Sequence, residues 1–176
     1  MDKVTTFIIV CGLLWPGPIH RANAAAPWTV ETDGDGATVA SLTLDHVNQG
    51  NLNMLAVFNV GFAAKTHCHG EIGTALLSGA GYGRPVGRVD PSKTDVMAVR
   101  VDSNSEWAVH PFIVKYQNGW EALFNAPDPL LAQLQSGSTA YSRIAPNTPT
   151  IEFPLAGAAS AIDEARTTCL ARLSHQ

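Results

Sequence analysis

Charge is scarce in this chain. Charged residues make up 15% of its 176 residues, and they form no basic run or stripe. The electrostatic footprint of a nucleic-acid binder is therefore missing, and an anionic membrane surface has little to attract. The 11 basic residues are outnumbered by 15 acidic ones. Long apolar runs are missing too: Phe7–Trp15 falls well short of the roughly 20 residues that span a bilayer, and no later segment is apolar enough. No Cys-x-x-Cys is present, which argues against a dithiol redox site. No Gly-x-Ser-x-Gly elbow marks a serine hydrolase. The glycines of Ser78–Asp95 fit no nucleotide fingerprint, and there is no internal repeat. What remains is a chain with 45% apolar residues. That content suits a folded globule rather than a disordered chain, and the length suits one domain.

The amino-terminal segment has the layout of a secretory signal. Lys3 precedes the apolar run, Pro16-Gly17-Pro18 ends any helix, and Ala22-Asn23-Ala24 places small residues at the cleavage site. Cleavage is expected after Ala24, leaving 25–176 as a single β-rich exported domain, periplasmic or secreted, with no stable membrane insertion. A lipoprotein signal at Cys11 is disfavoured, because Val10 occupies a position where a small residue is wanted. Cleavage removes Lys3 and Arg21 against Asp2 alone, so the remainder is more acidic still. It also removes Cys11, one of three cysteines. Cys68 and Cys169 are left, and an oxidising compartment usually joins such a pair. The loop so closed has about 100 residues, for which chain entropy gives roughly 4.7 kcal/mol. The alternative is two free thiols.

The strand signals dominate. Trp28–Glu31 is a short β-type run, and Asp33-Gly34-Asp35-Gly36 reads as a turn rather than a calcium loop. Ala37–Leu44 alternates as a half-buried strand. Leu52–Val60 follows, with Leu52, Met54, Ala56 and Phe58 on one face. Phe62–His69 is predicted as the next strand, continued by Ile72–Leu77. Ser78–Asp95 reads as an open loop or a flexible hairpin tip, and it is the preferred contact surface because loops carry function more often than cores. Its candidate binding residues are Tyr82, Arg84 and Arg88. Val96–Val101 is strongly β. Trp107–Val109 and Phe112–Tyr116 are interrupted at Pro111, which predicts an edge. Asn118-Gly119 signals a hairpin joining Ile113–Tyr116 to Trp120–Phe124. A short helix is expected from Pro127 to Gln135, then strands at Tyr141–Ile144 and Thr150–Phe153. A final helix spans about Ala158 to Leu173, with Ile162, Ala165 and Cys169 on its apolar stripe. The fold class is α+β: a mostly antiparallel sheet or sandwich with one C-terminal amphipathic helix packed across it.

A larger pattern joins Trp28, Thr66-His67-Cys68, Val99-Arg100-Val101-Asp102 with Trp107, and Thr150–Gly157 leading to Cys169. In this it resembles the invasion-associated locus B family and the periplasmic accessory proteins of type VI secretion. The resemblance implies an exported, disulfide-linked bacterial domain without catalytic residues.

Candidate chemistry centres on His67, His69 and Glu71. On a strand they would share one face and could present two imidazoles and a carboxylate to Zn or Cu, with His110 as a fourth ligand. Solvent-facing polar residues on a half-buried strand explain the same pattern without metal, so no cofactor is the preferred expectation. Glu71, Glu106 and Glu121 are carboxylates that no spacing pairs for glycoside hydrolysis. Trp107, Trp120 and Tyr116 would suit a carbohydrate or peptide platform, although core packing is the commoner fate of such residues. The first functional reading is a non-catalytic binding or accessory protein with a protein or envelope partner. The second is an envelope metal-binding protein, and the third is a small exported hydrolase.

Overall fold

The computed structural model describes residues 27–33, 36–49, 52–79, 82–89, 96–144 and 148–175. The expected signal segment and cleavage site lie outside these. Two antiparallel sheets form the body. The larger contains β1 (Thr29–Thr32), β2 (Thr38–Gln49), β3 (Leu52–Phe62), β4 (Gly70–Leu77), β5 (Pro85–Val89), β8 (Phe112–Tyr116) and β9 (Gly119–Asn125). The smaller contains β6 (Met97–Val101), β7 (Trp107–Val109), β10 (Thr139–Arg143) and β11 (Ile151–Pro154). Helix α1 (Asp128–Ser136) links β9 to β10, and α2 (Ala158–Leu173) closes the chain. Spatial order is β1-β2-β3-β4-β9-β8-β5 in the large sheet and β11-β10-β6-β7 in the small one. This is the expected α+β class, in its sandwich form.

Alternation builds the core. Ala40, Leu42 and Leu44 of β2 are buried opposite Ala56, Phe58 and Val60 of β3, in a register that pairs Leu42 with Phe58. Residues two apart share a face, so one side of the large sheet is uniformly apolar. The small sheet and α2 cover it. Phe58 lies 5.1 Å from Phe153 of β11 between ring centroids, and α2 lies across β1, β2 and β3. On α2, Ala158, Ala161, Ile162, Ala165 and Cys169 are buried, which is the stripe its periodicity predicts. A buried polar contact joins the two sheets: Thr74 Oγ1 of β4 lies 2.9 Å from Ser142 Oγ of β10.

The disulfide joins Cys68 to Cys169, with Cα atoms 5.9 Å apart, within the range a disulfide requires. Its anchor differs from the expectation. Residues 63–69 do not form a strand. β3 ends at Phe62, a 3₁₀ turn covers Ala64–Thr66, and β4 begins at Gly70. Phe62 pairs with Gly70, so residues 63–69 are the connection of a hairpin. The carbonyl of Ala63 accepts from the amides of Thr66 and Cys68 and from Thr66 Oγ1. His67 and Cys68 sit in the left-handed region, at φ 52° and 56°. Local hydrogen bonding of this kind offers the backbone an alternative to a ladder. The disulfide therefore ties α2 to a loop at the end of the sheet, not to a strand.

Two further expectations are revised. Ser78–Asp95 is not wholly open, because Pro85–Val89 forms β5 and pairs with β8. The break at Pro111 is where the chain crosses from the small sheet to the large one. β7 is an edge strand, whereas β8 lies between β9 and β5. Proline has no N–H to offer a ladder, which suits a residue placed between two sheets.

Candidate functional site

The outer face of the large sheet carries a polar cluster that the core does not need. Trp120 and Ala122 of β9 point to the core, so Glu121 between them points outward. It is nevertheless only 5% exposed. A carboxylate is costly to bury unless donors replace its water, and three side chains do so. Asn59 Nδ2 of β3 donates to Glu121 Oε1 at 2.6 Å. The Tyr82 hydroxyl donates to the same oxygen at 3.1 Å and accepts from Asn59 Nδ2 at 3.3 Å. The Tyr116 hydroxyl donates to Oε2 at 2.9 Å. The two phenol rings meet edge to face with centroids 5.0 Å apart.

Each member is positioned by a separate device. Asn59 reaches Glu121 by lying over β4, and its register partner there is Gly73. A Cβ on Gly73 would come 2.3 Å from Asn59 Oδ1 and 2.8 Å from Leu123 Cδ2, so only glycine leaves the amide room. Tyr82 is held through the turn between β8 and β9. Asn118 Oδ1 accepts from the Gly83 amide at 2.8 Å, and Asn118 Nδ2 donates to the Ser78 carbonyl at 3.2 Å. The Gln117 amide donates to the Arg84 carbonyl at 3.0 Å. Tyr82 thus hangs from a strap clamped on both sides. Gly119 follows the turn, where a Cβ would strike the Leu76 carbonyl oxygen at 2.1 Å. The Asn-Gly signal is real, but the closing residues are Gln117 and Asn118, and the glycine serves close strand approach.

Both phenols are pushed well above the usual tyrosine range. For Tyr82 and Tyr116 alike burial is the main cause, followed by the charge of Glu121 and the hydrogen bond to it. The Asn59 amide partly offsets this at Tyr82. The Tyr82 side chain is 44% exposed, so its ring faces out while its hydroxyl is seated in the cluster. Beside the cluster runs a groove of about 940 Å³. Val39, Leu55 and Val57 supply its apolar surface, Thr29, Ser41 and Thr43 its hydroxyls, and Glu31 and Asp33 stand at the β1 end.

Of the binding residues expected from sequence, Tyr82 lines this groove. Arg84 is exposed and is not part of its lining, and Arg88 falls on β5. The strand expected to carry the metal face is not formed. His67 and His69 are exposed in the hairpin connection, while Glu71 lies on β4. Among the described residues no three His, Cys, Asp or Glu side chains group in a way that would hold a metal ion. The aromatic platform is dispersed. Trp107 belongs to the small sheet and donates to Gln133 Oε1 at 3.3 Å, Trp120 packs against the core, and Tyr116 alone joins the groove. Glu106 pairs with Arg143 at 3.2 Å, away from Glu121.

Sequence reasoning passed over Asn59, Gly73 and the role of Glu121. Their signal was a polar residue inside an otherwise apolar run: Asn59 in Leu55–Phe62, and Glu121 in Trp120–Phe124. Comparison of the chain with protein-family models, with curated proteins and with solved structures finds no match.

Proposed function

We propose that this is a non-catalytic binding or accessory protein of the bacterial periplasm or exterior, and that it serves an envelope or secretion assembly through the groove beside Glu121. The observation that carries this reading is the buried carboxylate. Four side chains from β3, β8, β9 and the strap converge on the outer sheet face, where stability alone would be served by apolar residues. Such a network shapes a surface. Both Glu121 oxygens are occupied by phenol and amide donors, an arrangement that holds a surface in shape. The disulfide suits an oxidising compartment. No helix among the described residues is long and apolar enough to cross a membrane. The pattern resemblance to invasion-associated locus B and type VI accessory proteins points the same way.

The test is site-specific photo-crosslinking in the native envelope. A photoreactive residue at Thr43, in the groove, should capture a defined partner that the same residue at Glu164, on the exposed side of α2, does not. Equal capture from both positions, or none from Thr43, would sink the groove reading. Mass spectrometry of the exported protein should find an amino terminus within two residues of Ala25.

A further inference from the structure

The large sheet's inner face, apolar across β2 and β3, carries a lysine where it reaches β8. The ladder puts Lys115 opposite Trp120 of β9 and Gly87 of β5, with Ile113 opposite Ala122 in the next inward row. Residues two apart share a face, so Ile113, Lys115, Trp120, Ala122 and Phe124 have the inward parity of β8 and β9. Lys115 is the charged one of the five. The three β9 residues meet the core, whereas Lys115 is exposed. The cover gives out between them. Ser142 of β10 meets Thr74 of β4, and Ile144, two residues on, is still only 4% exposed. Beyond Ile144 opens a cleft of about 360 Å³, bounded by Ile144, Trp120, Ile113, Lys115 and Val86. Val86 is 60% exposed, and nothing lies within 4 Å of the place a Cβ would take on Gly87. The cleft is therefore open towards the edge strand β5. Its size falls at the small end of ligand sites, which run from about 300 to 1,000 Å³. Its surface is almost wholly apolar, so a peptide group placed there would lose its water without gaining a partner. No carboxylate occurs among the described residues that line it. Glu121 follows Trp120 and so has the opposite parity, on the face of the groove described above. Long ammonium side chains lay their stems on apolar surface and keep the head in water, which puts the Lys115 charge at the mouth of an apolar slot.

We propose that this cleft is a second binding site, for a single alkyl chain ending in an anionic head group. The chain lies among Val86, Ile113, Trp120 and Ile144, and the head group meets the Lys115 ammonium. This chemistry is shared by free fatty acids and by anionic single-chain phospholipids. The site is on the opposite face of the sheet from the Glu121 groove and does not depend on what that groove takes.

The experiment titrates the full exported chain, disulfide intact, with decanoate, with lysophosphatidylglycerol of the same chain length, with decanol and with decyltrimethylammonium, each below its micelle concentration. A Leu-Leu-Val peptide with a free carboxylate completes the set. Binding is read by calorimetry and by NMR shifts of backbone amides and of the Trp120 indole. Saturable binding of decanoate or the lysophospholipid is expected, with shifts at Ile113, Lys115, Trp120 and Ile144 and none at Thr43 or Tyr82. The stronger of the two identifies the source. Octanoate, two methylenes shorter, should bind about three- to fifteen-fold more weakly than decanoate. Lys115→Met keeps the stem and should weaken decanoate about two- to five-fold while leaving decanol unchanged, and Lys115→Arg should restore it. Val86→Ser, at an exposed position, should weaken every alkyl probe. A thermal melt of each variant shows whether the fold is intact. Decanol or decyltrimethylammonium binding as tightly as decanoate would overturn the proposal, as would decanoate binding that Lys115→Met leaves unchanged. Tighter binding of the peptide would assign the cleft to a chain terminus instead. No saturable binding of either anionic probe, or shifts confined to the Glu121 groove, also overturns it. Each of these leaves the groove reading standing, since Thr43 crosslinking tests that separately.

Discussion

Asn59 and Gly73 face each other across the β3–β4 ladder, and the side chain of the first occupies the space the second leaves empty. A Cβ on Gly73 would lie 2.3 Å from Asn59 Oδ1. This one relationship lets an amide on β3 reach over β4 to a carboxylate on β9. Gly73→Ala should therefore destabilise the fold by about 1–3 kcal/mol through overpacking. It should also displace Asn59 from Glu121. Adding Asn59→Ala should recover part of the loss, because the clash goes with the amide. Denaturant melts of the single and double variants decide it, and strictly additive losses would show that the two residues are not coupled in this way.

The contact between Thr74 and Ser142 crosses the sandwich in a fully buried setting, with both residues 0% exposed. Ser142→Ala leaves a hydroxyl without its partner and should cost about 1–3 kcal/mol. Thr74→Val with Ser142→Ala removes both hydroxyls and keeps the volume, so the pair should cost less than the single change. Urea unfolding of the three variants measures the difference. A double variant as weak as the sum of the singles would show that the hydroxyls do not depend on each other.

Cys68 and Cys169 are separated by 101 residues in sequence. Cys68→Ser or Cys169→Ser should each cost on the order of 2–5 kcal/mol, and the double change little more than either. Because Cys68 lies in the β3–β4 connection, the single changes should expose α2 and residues 63–69 to hydrogen exchange before the centre of the sheet. Thiol titration of the unfolded, unreduced protein should find no free thiol after signal cleavage. Two free thiols would overturn the pairing.

The tyrosine cluster gives a stability limit on the alkaline side. Both phenols titrate higher in the fold than in the unfolded chain, where tyrosine ionises near pH 10. Above about pH 10 the unfolded state loses protons first, so it is favoured and stability falls with rising pH. The contribution is complete below that pH and disappears as the folded phenols themselves ionise. Phenolate absorbance of the folded protein should rise late. Tyr82→Phe and Tyr116→Phe should each remove part of that late rise and flatten the alkaline loss of stability. Ordinary phenolate titration in the folded wild type would count against the buried Glu121 network.

The boundary between what was legible and what was not follows the range of the interactions. The sequence alone determines the elements whose periodicity is local. Ala158–Leu173 forms the predicted helix, Leu52–Phe62 contains the predicted strand, and the predicted hairpin after Tyr116 is present, its turn one residue before the Asn-Gly pair. The pairing of Cys68 with Cys169 was also legible, since the expected cleavage after Ala24 would leave no other cysteine. Residues 63–69 were misread because a hairpin connection with one buried cysteine alternates polar and apolar side chains much as a strand does. Only the Phe62–Gly70 pairing distinguishes the two. The Glu121 site belongs wholly to the tertiary structure. Strand parity says that Glu121 points away from Trp120 and Ala122, but not what covers it. Asn59, Tyr82, Tyr116 and Glu121 come from four segments, and their meeting depends on strand order, on the space at Gly73 and on the clamp at Asn118. None of these leaves a periodic trace in the chain, because each is a contact between residues far apart along it.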